Sequence, residues 1–178
     1  MVRPLMFIMG AIPVIFAILI VIPMIMPSGV PIDAANSNDV LSLEFSKQQM
    51  RKVSFGITER LAAERTELLS IQSDTDVIYS VTNDGYPEPD KKSNLDKNQM
   101  KKLTALIKET GFMKIPTDSF PIREDVTEFT KFGVKITLNG VTQQVQWPEQ
   151  NATEKFIPPI LFAVETELQA IIDQIIDK

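Results

Sequence analysis

The sequence lacks both cysteine and histidine in its 178 residues. Without cysteine there are no disulfides, thiolate nucleophiles or thiolate metal sites. Without histidine the chain lacks the commonest general base and the commonest transition-metal ligand. A glycine-rich phosphate-binding loop is missing as well. We therefore expect a chain that is not an enzyme by itself, with no catalytic residues, no metal site and no cofactor.

Positive charge is also scarce. The net charge is −5, and only Arg3 is charged before Asp33, so the remainder carries 17 basic and 23 acidic residues. Nucleic-acid binding needs a basic field to neutralise phosphates, so we expect no nucleic-acid partner.

What the sequence does have is a long apolar run near its beginning, "LMFIMGAIPVIFAILIVIPMIM", residues 5–26. A spanning helix needs about 20 apolar residues, whereas the core of a cleaved signal peptide has about 7–15. A cut after Ala35 would place Asp33 at the −3 position, where signal peptides have a small neutral residue. We predict a transmembrane helix over residues 1–27 that contacts the bilayer through 5–26, with signal-peptide cleavage as the alternative.

The residues that flank this span predict its orientation. Arg3 lies on one side, and Asp33, Asp39 and Glu44 follow on the other. The positive-inside rule then places the N-terminus in the cytoplasm of a cell-membrane protein. Residues 28–38 would form a linker, and residues 39–178 an extracytoplasmic domain. Asn151, in "NAT", is a possible glycosylation site that fits an outside location.

Alternating apolar residues indicate strands after the linker. Residues 41–45 and 53–57 alternate, and they would add strands to a sheet or form a separate lead-in. The composition of residues 58–66 favours a helix capped by Thr58, but so short a stretch also fits a strand. A turn at 73–75 would place Ile71 opposite Val77 and Leu69 opposite Tyr79. The polar stretch "NDGYPEPDKKSN", residues 83–94, predicts a loop.

Two helices and a second hairpin have clearer signals. Asp96 and Gln99 form a capping-box pattern, and Gly111 is expected to end that helix in a left-handed conformation. Asn139-Gly140 is the preferred type I′ turn. It predicts the facing pairs Leu138–Val141, Ile136–Gln143, Val134–Val145 and Phe132–Trp147. After Pro158-Pro159, a stripe of apolar residues predicts the last helix: Ile160, Leu161, Val164, Leu168, Ile171, Ile172 and Ile175.

These elements predict an α+β fold, with an antiparallel sheet of about four or more strands and two helices on one face. We expect Trp147 to be buried against Phe132, Phe162 or Ile160. If it were exposed instead, Trp147 would be a possible partner-contact residue. Tyr86, beside prolines in the expected loop, is the other possible contact residue, because exposed aromatics are common at interfaces.

Acidic residues are the remaining candidates for a site. Asp74, Asp76, Asn83 and Asp84 lie near turns but lack the glycine and glutamate of a calcium loop. Asp118, Glu124, Asp125 and Glu128 could pair carboxylates for acid–base chemistry, although loop carboxylates are usually only solvated.

The stretch from about Thr66 to Ile176 resembles the small α+β proteins typified by emfourin, an inhibitor of thermolysin-like metalloproteases. The shared features are "LIKETGF" after the first hairpin, then "KFGVKITLNGVTQQVQW", a proline and an amphipathic helix. No inhibitory residue can be matched by motif. The whole chain is also similar in style to small single-pass proteins of ammonia-oxidising archaea, some of which are auxiliary subunits of the membrane-bound ammonia monooxygenase.

We therefore expect a single-pass, non-catalytic accessory subunit that contacts other membrane-protein subunits of a larger complex. Archaeal ammonia monooxygenase is one such complex, and its copper and quinol chemistry would belong to other subunits because this chain lacks histidine. The alternative is a membrane-tethered protease-inhibitor-like or ligand-binding module.

Overall fold

The computed structural model of the protein describes residues 35–36, 38–117 and 119–177, with the backbone but not the side chain of Phe55. All of them belong to one compact unit, Pro31–Lys178. The predicted transmembrane helix and most of the predicted linker lie outside the described residues. Among the described residues, no helix is long and apolar enough to cross a bilayer.

Over the described residues the fold is α+β, with one antiparallel sheet of seven strands and two α-helices. The strands are β1 Leu41–Phe55, β2 Thr58–Ile71, β3 Asp76–Asn83, β4 Tyr86–Pro87, β5 Lys91–Asn94, β6 Glu128–Leu138 and β7 Val141–Pro148. The α-helices are α1 Lys97–Glu109 and α2 Pro159–Ile176, and two short 3-10 helices are η1 Phe112–Lys114 and η2 Gln150–Ala152. The expected α+β class, with an antiparallel sheet of at least four strands and two helices, is confirmed.

The strand order is β4-β3-β2-β1-β6-β7, and β5 also pairs with β3. The first strand is therefore central: β1 pairs with β2 on one side and with β6 on the other, where the register runs from Leu41 opposite Leu138 to Arg51 opposite Glu128. The β1–β6 pairing joins residues far apart in the sequence, so the local pattern could not reveal it.

The hairpin of β6 and β7 has the predicted register. Leu138 faces Val141, and Phe132 faces Trp147. Asn139 and Gly140 have φ angles of 51° and 82°, the positive values that a type I′ turn requires at both central residues. The β2–β3 hairpin is confirmed as well, because Leu69 lies opposite Tyr79 and Ile71 opposite Val77.

Three local predictions were wrong or incomplete. Residues 58–66, for which helix and strand were both left open, are strand, because β2 pairs with β1 along its length. Ile57 does not continue the first strand: it lies with Gly56 in a two-residue turn, and its side chain is fully exposed. The expected loop 83–94 contains β4 and β5, which pair with β3 around an Asp84-Gly85 turn.

Both predicted helices are present with their expected boundary residues. The Asp96 side chain accepts hydrogen bonds from the backbone N–H groups of Asn98 and Gln99, and the Gln99 side chain accepts one from the Asp96 backbone. Gly111 follows α1 with a φ of 68°, and the next residue, Phe112, is buried. Helix α2 begins at Pro159, directly after Pro158.

The core lies between one face of the sheet and the buried stripes of the helices. Alternate residues of the central strands are buried, for example Leu43, Val134 and Ile136, whereas their neighbours on the other face are polar and more exposed. The α2 stripe contributes Leu161, Val164, Leu168, Ile171, Ile172 and Ile175. Lys47 on β1 donates a hydrogen bond to Gln169 of α2 at 3.4 Å, so this helix lies over the buried face.

Asp39 connects three segments just before β1. Its Oδ2 atom accepts hydrogen bonds from Lys108 Nζ of α1 at 2.9 Å and from the Asn36 backbone at 2.7 Å. Its Oδ1 atom accepts one from Asn139 Nδ2 in the β6–β7 turn at 2.9 Å. These bonds, first from Asn139 and then from Lys108, lower the pKa of Asp39 to about 2. The chain is thus fastened where the folded domain begins.

Candidate functional site

The two aromatic residues proposed as contacts lie in different environments. Tyr86 follows the Asp84-Gly85 turn and is 78% exposed, so its side chain is accessible as expected. Trp147 is only 1% exposed and stacks on Phe132 with ring centroids 5.8 Å apart. The expected burial of Trp147 against Phe132 is present, so the exposed ring that would have made Trp147 a possible partner contact is not.

The Asn151 side chain is exposed on η2. The third residue of its acceptor triplet, Thr153, is 4% exposed, and its hydroxyl accepts a hydrogen bond from the Lys155 backbone at 3.3 Å. The folded domain therefore presents the asparagine but not the threonine of this pattern.

The carboxylates considered as sites do not converge among the described residues, and Asp118 lies outside them. Asp74 and Asp76 lie at one end of β3, and Asp84 lies past the other end, about 25 Å away at the usual rise per strand residue. Asp125 pairs with Arg123, and Glu128 pairs with Arg51. In the described part of the chain, no three His, Cys, Asp or Glu side chains are grouped closely enough to hold a metal ion.

A polar cluster at one end of the buried sheet face is paired internally. Glu67 accepts hydrogen bonds from Arg65 Nε and from the Tyr79 hydroxyl, both at 2.8 Å. Burial and the neighbouring Glu67 raise the pKa of Tyr79 to about 12. Burial opposes ionisation of Glu67, but the bonds from Arg65 and Tyr79 hold its pKa below the ordinary value. Because its pKa is raised, Tyr79 is a poor general base. The hydrogen bonds of the cluster hold the side chains of Arg65, Glu67 and Tyr79 in place.

Two buried polar atoms lie where α2 meets the buried face of the sheet. The Nε1 atom of Trp147 and the Oε2 atom of Glu165 are both buried, and neither has a hydrogen-bond partner among the described residues. Burial raises the pKa of Glu165, although Trp147 and Lys47 act in the opposite direction. Such a carboxyl group, facing the core without a direct partner, lowers stability when it is ionised.

The first surface of interest is a projecting arm, which consists of residues 52–64 at the far end of the β1–β2 hairpin. Pairing of β1 with β6 ends at Arg51, and pairing of β2 with β3 ends at Arg65. Lys52 still donates a backbone hydrogen bond to Thr127 and Glu64 accepts one from Asp84, and beyond these two residues the strands pair only with each other. Every residue of β2 from Thr58 to Glu64 is exposed. The arm has Ile57 at its tip and Leu61, 47% exposed, along one face.

The second surface is a pocket of about 600 Å³ on the opposite face of the sheet from the helices. One side is formed by the loop 115–127, called the pocket loop here, which several contacts fasten. The Ile115 carbonyl accepts a hydrogen bond from Gln143 at 2.6 Å, and the Glu124 carbonyl accepts one from Lys52 at 3.2 Å. Lys155 lies 5.3 Å from the centre of the Phe120 ring.

The pocket lining is mostly apolar. Its apolar residues are Met50, Leu61, Phe120, Ile122, Phe129, Val145, Trp147 and Pro148. Its polar residues are Thr117, Ser119, Lys131, Gln144 and Gln146. By strand alternation, Lys131 and the two glutamines belong to the polar face, opposite the Phe132–Trp147 pair. Sequence reasoning missed this pocket, because the loop that completes it has no periodic pattern.

No protein-family model matches this chain, and the comparison with curated proteins finds no significant match. The resemblances to emfourin and to ammonia monooxygenase subunits therefore stay hypotheses.

Proposed function

We propose that the protein is a single-pass, membrane-anchored, non-catalytic interaction subunit, whose extracytoplasmic domain contacts a larger membrane complex through the projecting arm. The observation that carries this proposal is the arm itself. The anchor and its orientation rest on the apolar run at residues 5–26 and on Arg3.

The arm gains little stability from contacts with the rest of the domain. A two-stranded ribbon alone is at best marginally stable in water, because it has no packed face. Its cross-strand ion pairs, Arg51–Glu64 at 2.6 Å and Lys52–Glu59 at 3.2 Å, involve largely exposed side chains. Exposed pairs typically contribute about 0.2–1 kcal/mol each. A partner surface would supply the missing burial.

The arm also has the chemistry of a contact surface. Its strand edges are unpaired beyond Lys52 and Glu64, and free edges readily pair with another chain. Ile57 is 104% exposed at the tip. Exposure of an apolar side chain to water is unfavourable, so its burial against a partner would be favourable. Edge pairing combined with burial of the Ile57 and Leu61 side chains would fix both the register and the orientation of a partner.

The test compares two exposed apolar positions at opposite ends of the same sheet. The full-length chain is expressed in its native membranes, solubilised gently and analysed by native gel and affinity purification with mass spectrometry. We expect wild type to migrate in a larger complex and Ile57→Asp to migrate as the free chain. Val141→Asp introduces the same charge at a residue that is 62% exposed outside the arm, so it should leave the complex intact.

The subunits of archaeal ammonia monooxygenase are the first to look for in the purified complex, because the sequence resemblance points to that enzyme. If wild type migrates alone in its micelle, the subunit proposal fails. If the complex persists with Ile57→Asp, the partner is bound elsewhere and the arm is not the interface.

A further inference from the structure

The pocket has the size and the lining of a small-molecule site. Its volume of about 600 Å³ lies inside the range of about 300–1,000 Å³ that is usual for ligand pockets. Such sites combine mostly apolar walls with a few polar groups that orient the ligand. Here Met50, Phe120, Ile122 and Phe129 supply the apolar walls.

The charge of the lining indicates the sign of the ligand. The chain as a whole is acidic, with a net charge of −5, yet Lys131 is the one charged residue among the described residues that line the pocket. Its neighbour on the same face, Lys135, pairs with Glu44 at 3.4 Å. Lys131 has no hydrogen bond or ion pair with any other described residue. An ammonium group beside apolar side chains favours an anionic partner.

The polar groups beside Lys131 suit a carboxylate. The side-chain amides of Gln144 and Gln146 belong to the adjacent strand on the same face, and each amide supplies two N–H donors. At about 30 Å³ per water-sized group, the volume holds about 20 such groups. This number is an upper limit for an open pocket, so the roughly twelve heavy atoms of a ten-carbon acid fit with room to spare, whereas the two long chains of a membrane phospholipid do not fit.

We propose that this pocket binds a free aliphatic carboxylic acid of medium chain length as its anion. Lys131 holds the carboxylate, the two glutamine amides donate hydrogen bonds to it, and the alkyl chain lies against Met50, Ile122 and Phe129. This binding does not require the proposed partner complex, although Leu61 of the arm is one of the residues that line the pocket.

The test measures binding by isothermal titration calorimetry, because the Trp147 ring stacks on Phe132 on the opposite face of the sheet and would be a poor reporter for this pocket. The full-length protein, reconstituted in phosphatidylcholine vesicles, is titrated with decanoate while the heat of binding is recorded. We expect a saturable heat signal with decanoate and a dissociation constant about tenfold higher for methyl decanoate, which lacks the charge. Lys131→Gln should weaken decanoate binding by a similar factor. Lys135→Gln, the matched control on the same strand and face, should not.

Circular dichroism of each variant confirms that the domain is folded. A linear heat signal that is equal for decanoate, its methyl ester and the Lys131→Gln protein would mean partition into the vesicles only and would overturn the proposal. A signal that needs Lys131 but is produced by phosphatidylglycerol vesicles and not by decanoate would also overturn it, because the ligand would then be the membrane surface.

Discussion

Replacement of Trp147 by alanine tests the assignment of faces in the β6–β7 hairpin. Trp147 is 1% exposed and stacks on Phe132, which in turn stacks on Phe45 at a centroid distance of 6.4 Å. Truncation of a buried aromatic side chain costs about 3–5 kcal/mol. Part of this loss is offset, because the buried indole N–H has no hydrogen-bond partner among the described residues and disappears with the ring. We expect a net loss of about 3 kcal/mol.

The assay is urea denaturation followed by far-ultraviolet circular dichroism, since the variant lacks the only tryptophan. At a slope of about 2 kcal/mol per molar urea, a loss of 3 kcal/mol lowers the midpoint by about 1.5 M. Gln144→Ala is the control on the exposed face of the same strand and should shift the midpoint very little. Equal midpoints for Trp147→Ala and wild type would show that this ring is not part of the core, and the reasoning about faces would be refuted.

Three further predictions concern polar residues. Asp39→Asn should lower the free energy of unfolding at neutral pH by about 1 kcal/mol after allowance for solvent screening, because the pKa of Asp39 is about 2 in the folded state. The same linkage predicts that wild type loses this contribution as the pH falls from about 4 towards 2, and that the variant does not, which denaturation at several pH values would show. Glu165→Gln should change the free energy of unfolding in the opposite direction. Burial raises the pKa of this carboxyl group, so the ionised form is disfavoured in the folded state. The variant should gain stability over wild type at pH 7, and this gain should disappear at pH 4; a constant difference would contradict the cause given. Asp96→Ala removes the side chain that caps α1 and should cost about 1 kcal/mol, measured by thermal unfolding against Asn98→Ala, an exposed position of the same helix.

Elements with two independent local signals were predictable from the sequence. Asn139-Gly140 fixes a turn type, and the alternation on either side of it fixes the same register. Helix α1 likewise has a capping box at one end and Gly111 at the other. In both cases the interactions that decide the structure lie within a few residues along the chain.

Elements that depend on distant partners or on exposed residues were not predictable. Residues 58–64 are exposed on both faces, so they have no apolar period to distinguish strand from helix. Strand β4 is an exception, because the Asp84-Gly85 dipeptide before it typically forms a type I′ turn and was a usable signal. The central position of β1 and the pocket both require contacts between residues more than 60 positions apart, such as Lys52 with Glu124. No local pattern contains that information.

The central position of β1 has a mechanical consequence. A tension applied to the chain before Asp39 would act along β1, which is hydrogen-bonded on both sides to β2 and β6. The load would be shared as shear over two ladders, and the bonds of Asp39 to Lys108 and Asn139 would resist it first. Forced unfolding depends on the unfolding rate under load. If residues 5–26 are held in a membrane and the arm is held by a partner, this arrangement would let the domain transmit force between them without unfolding.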